Sequence, residues 1–163
     1  MLKEVLDDLL AKVVDAIRVF YGDRLVSIVL YGSVARGVMR HDSDVDLLVV
    51  ARDLPHGRLK RVEEFEAVEA AVAEEFQCVA SRGIHTTLSA VFKTPEEVLG
   101  GSPLFFDMVE DGRVLYDENG FFAQRLARLR NRLAELGAKR IWKGNGWYWD
   151  LKPDYKQGEV FEL

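Results

Sequence analysis

Two short apolar runs, "VSIVLY" at Val26–Tyr31 and "VDLLVVA" at Val45–Ala51, constrain this chain more than any other feature. Both are short and rich in β-branched residues, so they predict strands, and Gly32 stops the first. The second is apolar on both faces and predicts a central strand. Its entrance nevertheless carries two acids, Asp44 and Asp46. Residues two apart in a strand project to the same face, so the two carboxylates aim at one point. Such charges repel, and each is costly to desolvate beside Leu47–Val50. A hard divalent cation between them removes both costs. Magnesium favours one or two carboxylates together with phosphate oxygens and water.

Around these strands the apolar spacing turns helical. Leu2, Val5, Leu6, Leu9, Leu10, Val13, Ile17 and Phe20 predict an opening helix that ends near Tyr21–Gly22. A turn of helix is expected from Ser33 to Gly37, with Ser33 as its N-cap. "DLPHG" at Asp53–Gly57 breaks the chain. Leu59, Val62, Phe65, Val72 and Phe76 then predict a second helix over Arg58–Phe76 with an acidic outer face. A short strand is expected at Cys78–Ala80 and a longer one at Thr86–Phe92. "TPEEVLGG" predicts a short helix capped by Thr94 with Pro95 in its first position. A brief apolar piece, Leu104–Val109, and a small strand, "GRVLY", follow. Phe122, Leu126, Leu129, Leu133 and Leu136 mark a last long helix, and the tail from Ile141 shows no clear period.

The alternation of strands and helices gives an α/β (α+β) fold with a mixed β-sheet flanked by helices. At 163 residues the chain predicts one domain. Residues 1–116 are its main body, and residues 117–163 are a C-terminal helix and aromatic-rich tail that pack on that body or on a dimer partner. The leucine stripe of the last helix supports docking on the sheet or a homodimer seam, fewer than three heptads being short for a coiled coil. A net charge of −5 argues against long nucleic acid as the main partner, whereas a nucleotide that carries its own magnesium needs only a local site. Cys78 is the only cysteine, so neither an internal disulfide nor a cysteine zinc cage is expected, and it is read as a small buried residue. The charged N-terminal segment is neither a signal peptide nor a membrane span, and a cytoplasmic protein is expected. His41, His56 and His85 lack ligand spacing.

If the two strands run antiparallel, Gly32 and Ser33 face Asp44 and Asp46 across a gap of several ångströms. Glycine permits close backbone approach, and the amides that follow offer donors to phosphate. Arg36 and Arg40 in the connecting loop are candidates to neutralise phosphate charge. Together these residues outline a site for a nucleoside triphosphate and magnesium.

The motif Gly32-Ser33, ten residues, then Asp44-x-Asp46 on an apolar strand resembles the signature of the polymerase-beta-like nucleotidyltransferase superfamily. "GSVARG" with "DSDVDLLVV" looks most like its minimal, prokaryotic nucleotidyltransferase-domain proteins. The resemblance implies that Gly32 and Ser33 contact the triphosphate of ATP or another nucleotide. It also implies that Asp44 and Asp46 are catalytic and coordinate two Mg2+ ions. A nucleoside monophosphate, with AMP the favoured case, would pass to an acceptor as pyrophosphate leaves. In that family the acceptor is an antibiotic hydroxyl or a protein side chain, including that of a separate HEPN-type helical toxin.

Catalytic members usually carry a third carboxylate on a later strand, but "IHTTLSAVFKT" holds no Asp or Glu. Glu96, Glu97 and Asp107 follow it and Glu75 precedes it, none at strand spacing. Three accounts stay open: His85 substitutes, the acceptor brings its own base, or transfer is weakened. The last would make the chain an antitoxin-like module that binds nucleotide or a partner.

Overall fold

The computed structural model describes residues 1–163 and is a three-layer arrangement of helices, sheet and helices. Four strands, β1 (Leu25–Tyr31), β2 (Val45–Ala51), β3 (Leu88–Lys93) and β4 (Arg113–Asp117), form one sheet in the order β3-β2-β1-β4. β2 pairs antiparallel with β1 and parallel with β3, so the sheet is mixed. β1 and β2 are central and buried on both faces, as their unbroken apolar runs require.

Alternate residues of these strands feed two cores. Ile28, Leu30, Val45, Leu47 and Val49 face helix α1 (Leu2–Tyr21), whose stripe from Val5 to Tyr21 is buried, together with α3 (Arg58–Ala71) and α4 (Ala73–Ala80). Val29, Leu48 and Val50 face α5 (Pro95–Leu99), α6 (Leu104–Asp111) and α7 (Phe121–Leu136). The leucine stripe of α7 is thus covered by the chain's own sheet: Phe122, Leu126 and Leu133 are buried there. Asp117 sets the seat of that helix. Its Oδ1 accepts from the Ser27 hydroxyl at 2.6 Å and from the Phe122 N–H at 2.9 Å, and its Oδ2 accepts from the Ala123 N–H at 2.9 Å. One carboxylate therefore satisfies two first-turn donors and fastens helix to sheet.

Several boundaries differ from the sequence reading. The helix expected over Arg58–Phe76 stops at Ala71, and Leu59 and Val62 project into solvent. Residues Cys78–Ala80 are the end of α4 rather than a strand, and Cys78 is exposed, not buried. Only Val79 of that segment points inward, which is what one helical turn allows. The later strand begins at Leu88 rather than Thr86, and the piece Leu104–Val109 is helical. The tail holds a hairpin, β5 (Lys139–Lys143) and β6 (Gly146–Asp150), closed by Gly144–Asn145 with Gly144 at φ 65°. A Gly-Asn pair between apolar runs is a two-residue hairpin signal.

β3 is an edge strand, and its end is tied down from both helical layers. Arg61 of α3 donates to the Phe92 carbonyl at 3.2 Å and forms a bidentate pair with Glu97 of α5, both bonds 2.8 Å. Glu97 also completes a capping box with Thr94. The Arg61 guanidinium holds the Glu97 carboxyl at about 2, below its ordinary 4.5. A lowered carboxylate contributes stability above its unfolded value and loses it as pH falls. Glu97→Gln is expected to cost about 1 kcal/mol at neutral pH, a modest figure because the Glu97 side chain is 40% exposed. Urea midpoints of the two proteins should converge between pH 4.5 and about 2.

Candidate functional site

The antiparallel pairing of β1 with β2 sets Tyr31 opposite Asp46, so the chain leaving β1 turns directly over the entrance of β2. Helix α2 (Gly32–Arg36) starts at that turn. Gly32 adopts φ 76°, and a Cβ on it would overlap Oδ2 of Asp46. Gly32 and Asp46 are therefore in contact, closer than the gap the sequence suggested. Only glycine combines this left-handed backbone with so near an approach. Gly32→Ala is expected to cost about 2 kcal/mol or more, from the positive φ and the displaced carboxylate together. Denaturant melts and nucleotide titration of that variant check both effects.

Ser33 does not cap α2. The helix begins one residue earlier than expected, Tyr31 takes the cap position, and no side chain caps the first turn. The Ser33 hydroxyl and the first-turn amides are left without a capping bond, so they remain able to serve an external oxygen. Tyr31 and Gly37 bracket the helix, Gly37 closing it in the left-handed conformation.

Asp44 and Asp46 lie on the same side of β2, as a period of two requires, and on the face that carries α6. Asp44 is exposed and Asp46 half-buried. Burial pushes the Asp46 carboxyl above its usual range and the charge of Asp44 adds to this, while the Ser89 hydroxyl and Arg36 oppose it. Burial and the Asp46 charge also push up the Tyr31 phenol. The site thus holds negative charge that its own residues do not balance.

β3 supplies two residues that sequence reasoning passed over. Ser89 is the register partner of Asp46 on the neighbouring strand, and its hydroxyl opposes the rise of the Asp46 carboxyl. Thr87, just before the strand, donates to Asp44 Oδ1 at 2.7 Å. The alternation of Thr87, Leu88 and Ser89 marks one polar face of this segment in the sequence, although it does not give the register against the aspartates. No third His, Cys, Asp or Glu joins the pair as a metal ligand. Glu97 is committed to Arg61 and Thr94, and Asp107 accepts from Trp147 and Trp149. The backbone of His85 donates to the His41 carbonyl at 2.8 Å, tying the segment before β3 to the loop before Asp44.

The two arginines separate. Arg36, half-buried at the end of α2, contributes to the field at Asp46 and stacks on Trp147. Arg40 is exposed and paired with Asp42 at 3.3 Å on the outer loop. A cavity of about 900 Å3 between α5, α6 and α7 includes none of Gly32, Ser33, Asp44 or Asp46. Its lining combines Phe105, Phe122 and Leu126 with arginines of α7 and with Glu135 and Glu162, of which Glu135 is paired with Arg132.

The model of the nucleotidyltransferase domain matches residues 10–80, the segment that contains this turn and both aspartates. A candidate protein adenylyltransferase of Methanocaldococcus jannaschii is 33% identical over 132 residues, covering 80% of this chain and 82% of that protein. The chain belongs to the nucleotidyltransferase-domain family. Spectinomycin adenyltransferase from Enterococcus faecialis, solved with ATP and spectinomycin, shares the fold: TM-score 0.54 at 11% identity, over 79% of this chain and 66% of that one. A toxin–antitoxin complex solved with AMP-PNP superposes with TM-score 0.48 at 20% identity, over 78% of this chain and 91% of that one. Within this nucleotidyltransferase, no helix is long and apolar enough to cross a membrane.

Proposed function

We propose that this nucleotidyltransferase moves adenylate from ATP to a protein side chain, with magnesium held by Asp44 and Asp46. The observation that carries the proposal is the contact of Gly32 with the Asp46 carboxylate, which brings a phosphate-side turn and a carboxylate pair to one place. The donor set is all oxygen: two carboxylates with the hydroxyls of Thr87 and Ser89 behind them. Such hard, anionic ligands suit magnesium. Bound there, the cation would neutralise charge that develops on the α-phosphate and on departing pyrophosphate.

The residues of the chain divide the remaining work. Gly32 and Ser33 border the triphosphate, and Arg36 offers it a guanidinium with no competing carboxylate partner. Thr87 holds Asp44 by a hydrogen bond, and Ser89 stands in register with Asp46. The acceptor hydroxyl loses its proton and attacks the α-phosphorus, the bond to pyrophosphate breaks, and the adenylate stays on the acceptor. With hydroxyls where a third acid is usual, the proton leaves to water or to a group the acceptor brings. A protein acceptor is favoured by the name of the M. jannaschii relative, a candidate protein adenylyltransferase. A separate HEPN-type helical chain is the partner that the motif resemblance singles out.

The experiment is transfer of label from α-labelled ATP to candidate acceptor proteins in magnesium, with Asp44→Asn and Asp46→Asn as controls. Transfer that both variants abolish supports the proposal. Tight nucleotide binding without transfer to any acceptor would favour the binding module.

A further inference from the structure

The C-terminal hairpin reaches the site. Trp147, on β6, lies under Arg36 with the guanidinium carbon 4.7 Å from the ring centroid. Its indole N–H donates to Asp107 Oδ1 at 2.6 Å, and that of Trp149 donates to the same oxygen at 2.9 Å. One turn further along α6, Asp111 forms a bidentate pair with Arg140 of β5, at 2.5 and 3.3 Å. Residues four apart share a helix face, so α6 grips the hairpin at two points on one side. Arg140 in turn packs over Trp142 and Trp147, 5.1 and 5.0 Å from their centroids. The Trp147 ring is therefore fixed by a hydrogen bond at its nitrogen and by the neighbouring guanidinium.

The Arg36 guanidinium has no carboxylate within ion-pair distance and donates no hydrogen bond within the chain; the Trp147 ring is its partner. A long side chain at the end of a five-residue helix would otherwise sample many rotamers. An aromatic face holds a guanidinium by stacking while leaving its in-plane N–H groups free for an anion.

We propose that Trp147, fixed by Asp107, is a positioning residue that holds the Arg36 guanidinium in place for the triphosphate. The inference rests on the nucleotide site described above. It gives the aromatic tail a task in the reaction: the hairpin is a brace for one phosphate-side cation. Ordering Arg36 before nucleotide arrives spares the entropy of ordering it afterwards.

The test uses the full chain and separates KM for magnesium–ATP from kcat. Trp147→Leu is expected to raise KM about three- to thirtyfold with a smaller change in kcat. Trp147→Phe, which keeps a ring but loses the indole N–H, should fall between Trp147→Leu and wild type. Arg36→Lys keeps the charge but not the planar stack. It should raise KM in the wild-type background and have little further effect in Trp147→Leu, a non-additivity that marks shared function. Thermal melts accompany each variant; should Trp147→Leu not fold, the Trp147→Phe and Arg36→Lys pair carries the same cycle. Additive effects, or a Trp147 variant with lowered thermal stability and unchanged KM, would overturn the inference. In those cases transfer still lost in Asp44→Asn would leave the nucleotide-site reading standing. A wild-type protein that neither binds nor transfers nucleotide would overturn both.

Discussion

Asp46→Asn is expected to reduce adenylate transfer roughly a hundred- to ten-thousandfold while leaving the free protein at least as stable as wild type. The substitution keeps shape and removes charge. Metal ligation supplies several kcal/mol of charge stabilisation in such reactions, and each 1.36 kcal/mol is about tenfold in rate. Stability moves the other way because burial and Asp44 both oppose ionisation of Asp46 in the free protein. A carboxyl raised in the folded state costs stability once pH exceeds its unfolded value, so a neutral amide removes that cost. Single-turnover transfer assays paired with melts in chelator read the two effects separately. A variant that lost activity by unfolding would show a lower melting temperature, and the metal account would then lose its support.

Ser89→Asp is expected to act in the opposite sense. Ser89 is in register with Asp46 on the neighbouring parallel strand, and its hydroxyl favours the ionised Asp46. An aspartate there restores a third carboxylate beside the pair, able to ligate a cation and to accept the acceptor's proton. General-base assistance contributes about a hundredfold or more where geometry is good. A gain of roughly tenfold in transfer, with the magnesium midpoint shifted to lower concentration, allows for an unoptimised position. The free protein should pay with a lower melting temperature in chelator, since three like charges then share the site. Metal titrations of the transfer rate in both proteins decide it. An unchanged rate with an unchanged magnesium midpoint would show that Ser89 does not occupy the place of the missing acid.

Much of this site was legible because it rests on the simplest periodicity. Two aspartates separated by one residue must share a face of a strand, and a strand stopped by glycine must turn there. Antiparallel pairing of the two runs, assumed from their order, then placed Gly32 beside Asp46. What could not be read was register between distant strands. Nothing in "TTLS" says that Ser89 pairs with Asp46 rather than with Leu48, because a shift of two keeps the same face. Local ambiguity misplaced Cys78–Ala80: a short apolar run fits a strand or one helical turn equally well. Ser33 was assigned a cap on residue type, but the contact of Gly32 with Asp46 starts the helix earlier. The tail packs on the main body as its aromatics suggested, but its hairpin was not read, for a different reason. Its aromatics serve no core of their own; Trp147 and Trp149 are held by one carboxylate of α6, a contact forty residues away that no local pattern encodes.

The most direct measurement is a crystal structure of the chain with magnesium and a non-hydrolysable ATP analogue. The account predicts metal density bonded to Asp44 and Asp46 and to phosphate oxygens, with the triphosphate along the Gly32–Ser33 turn. Triphosphate bound elsewhere, or both carboxylates left free of metal with the nucleotide in place, would contradict it.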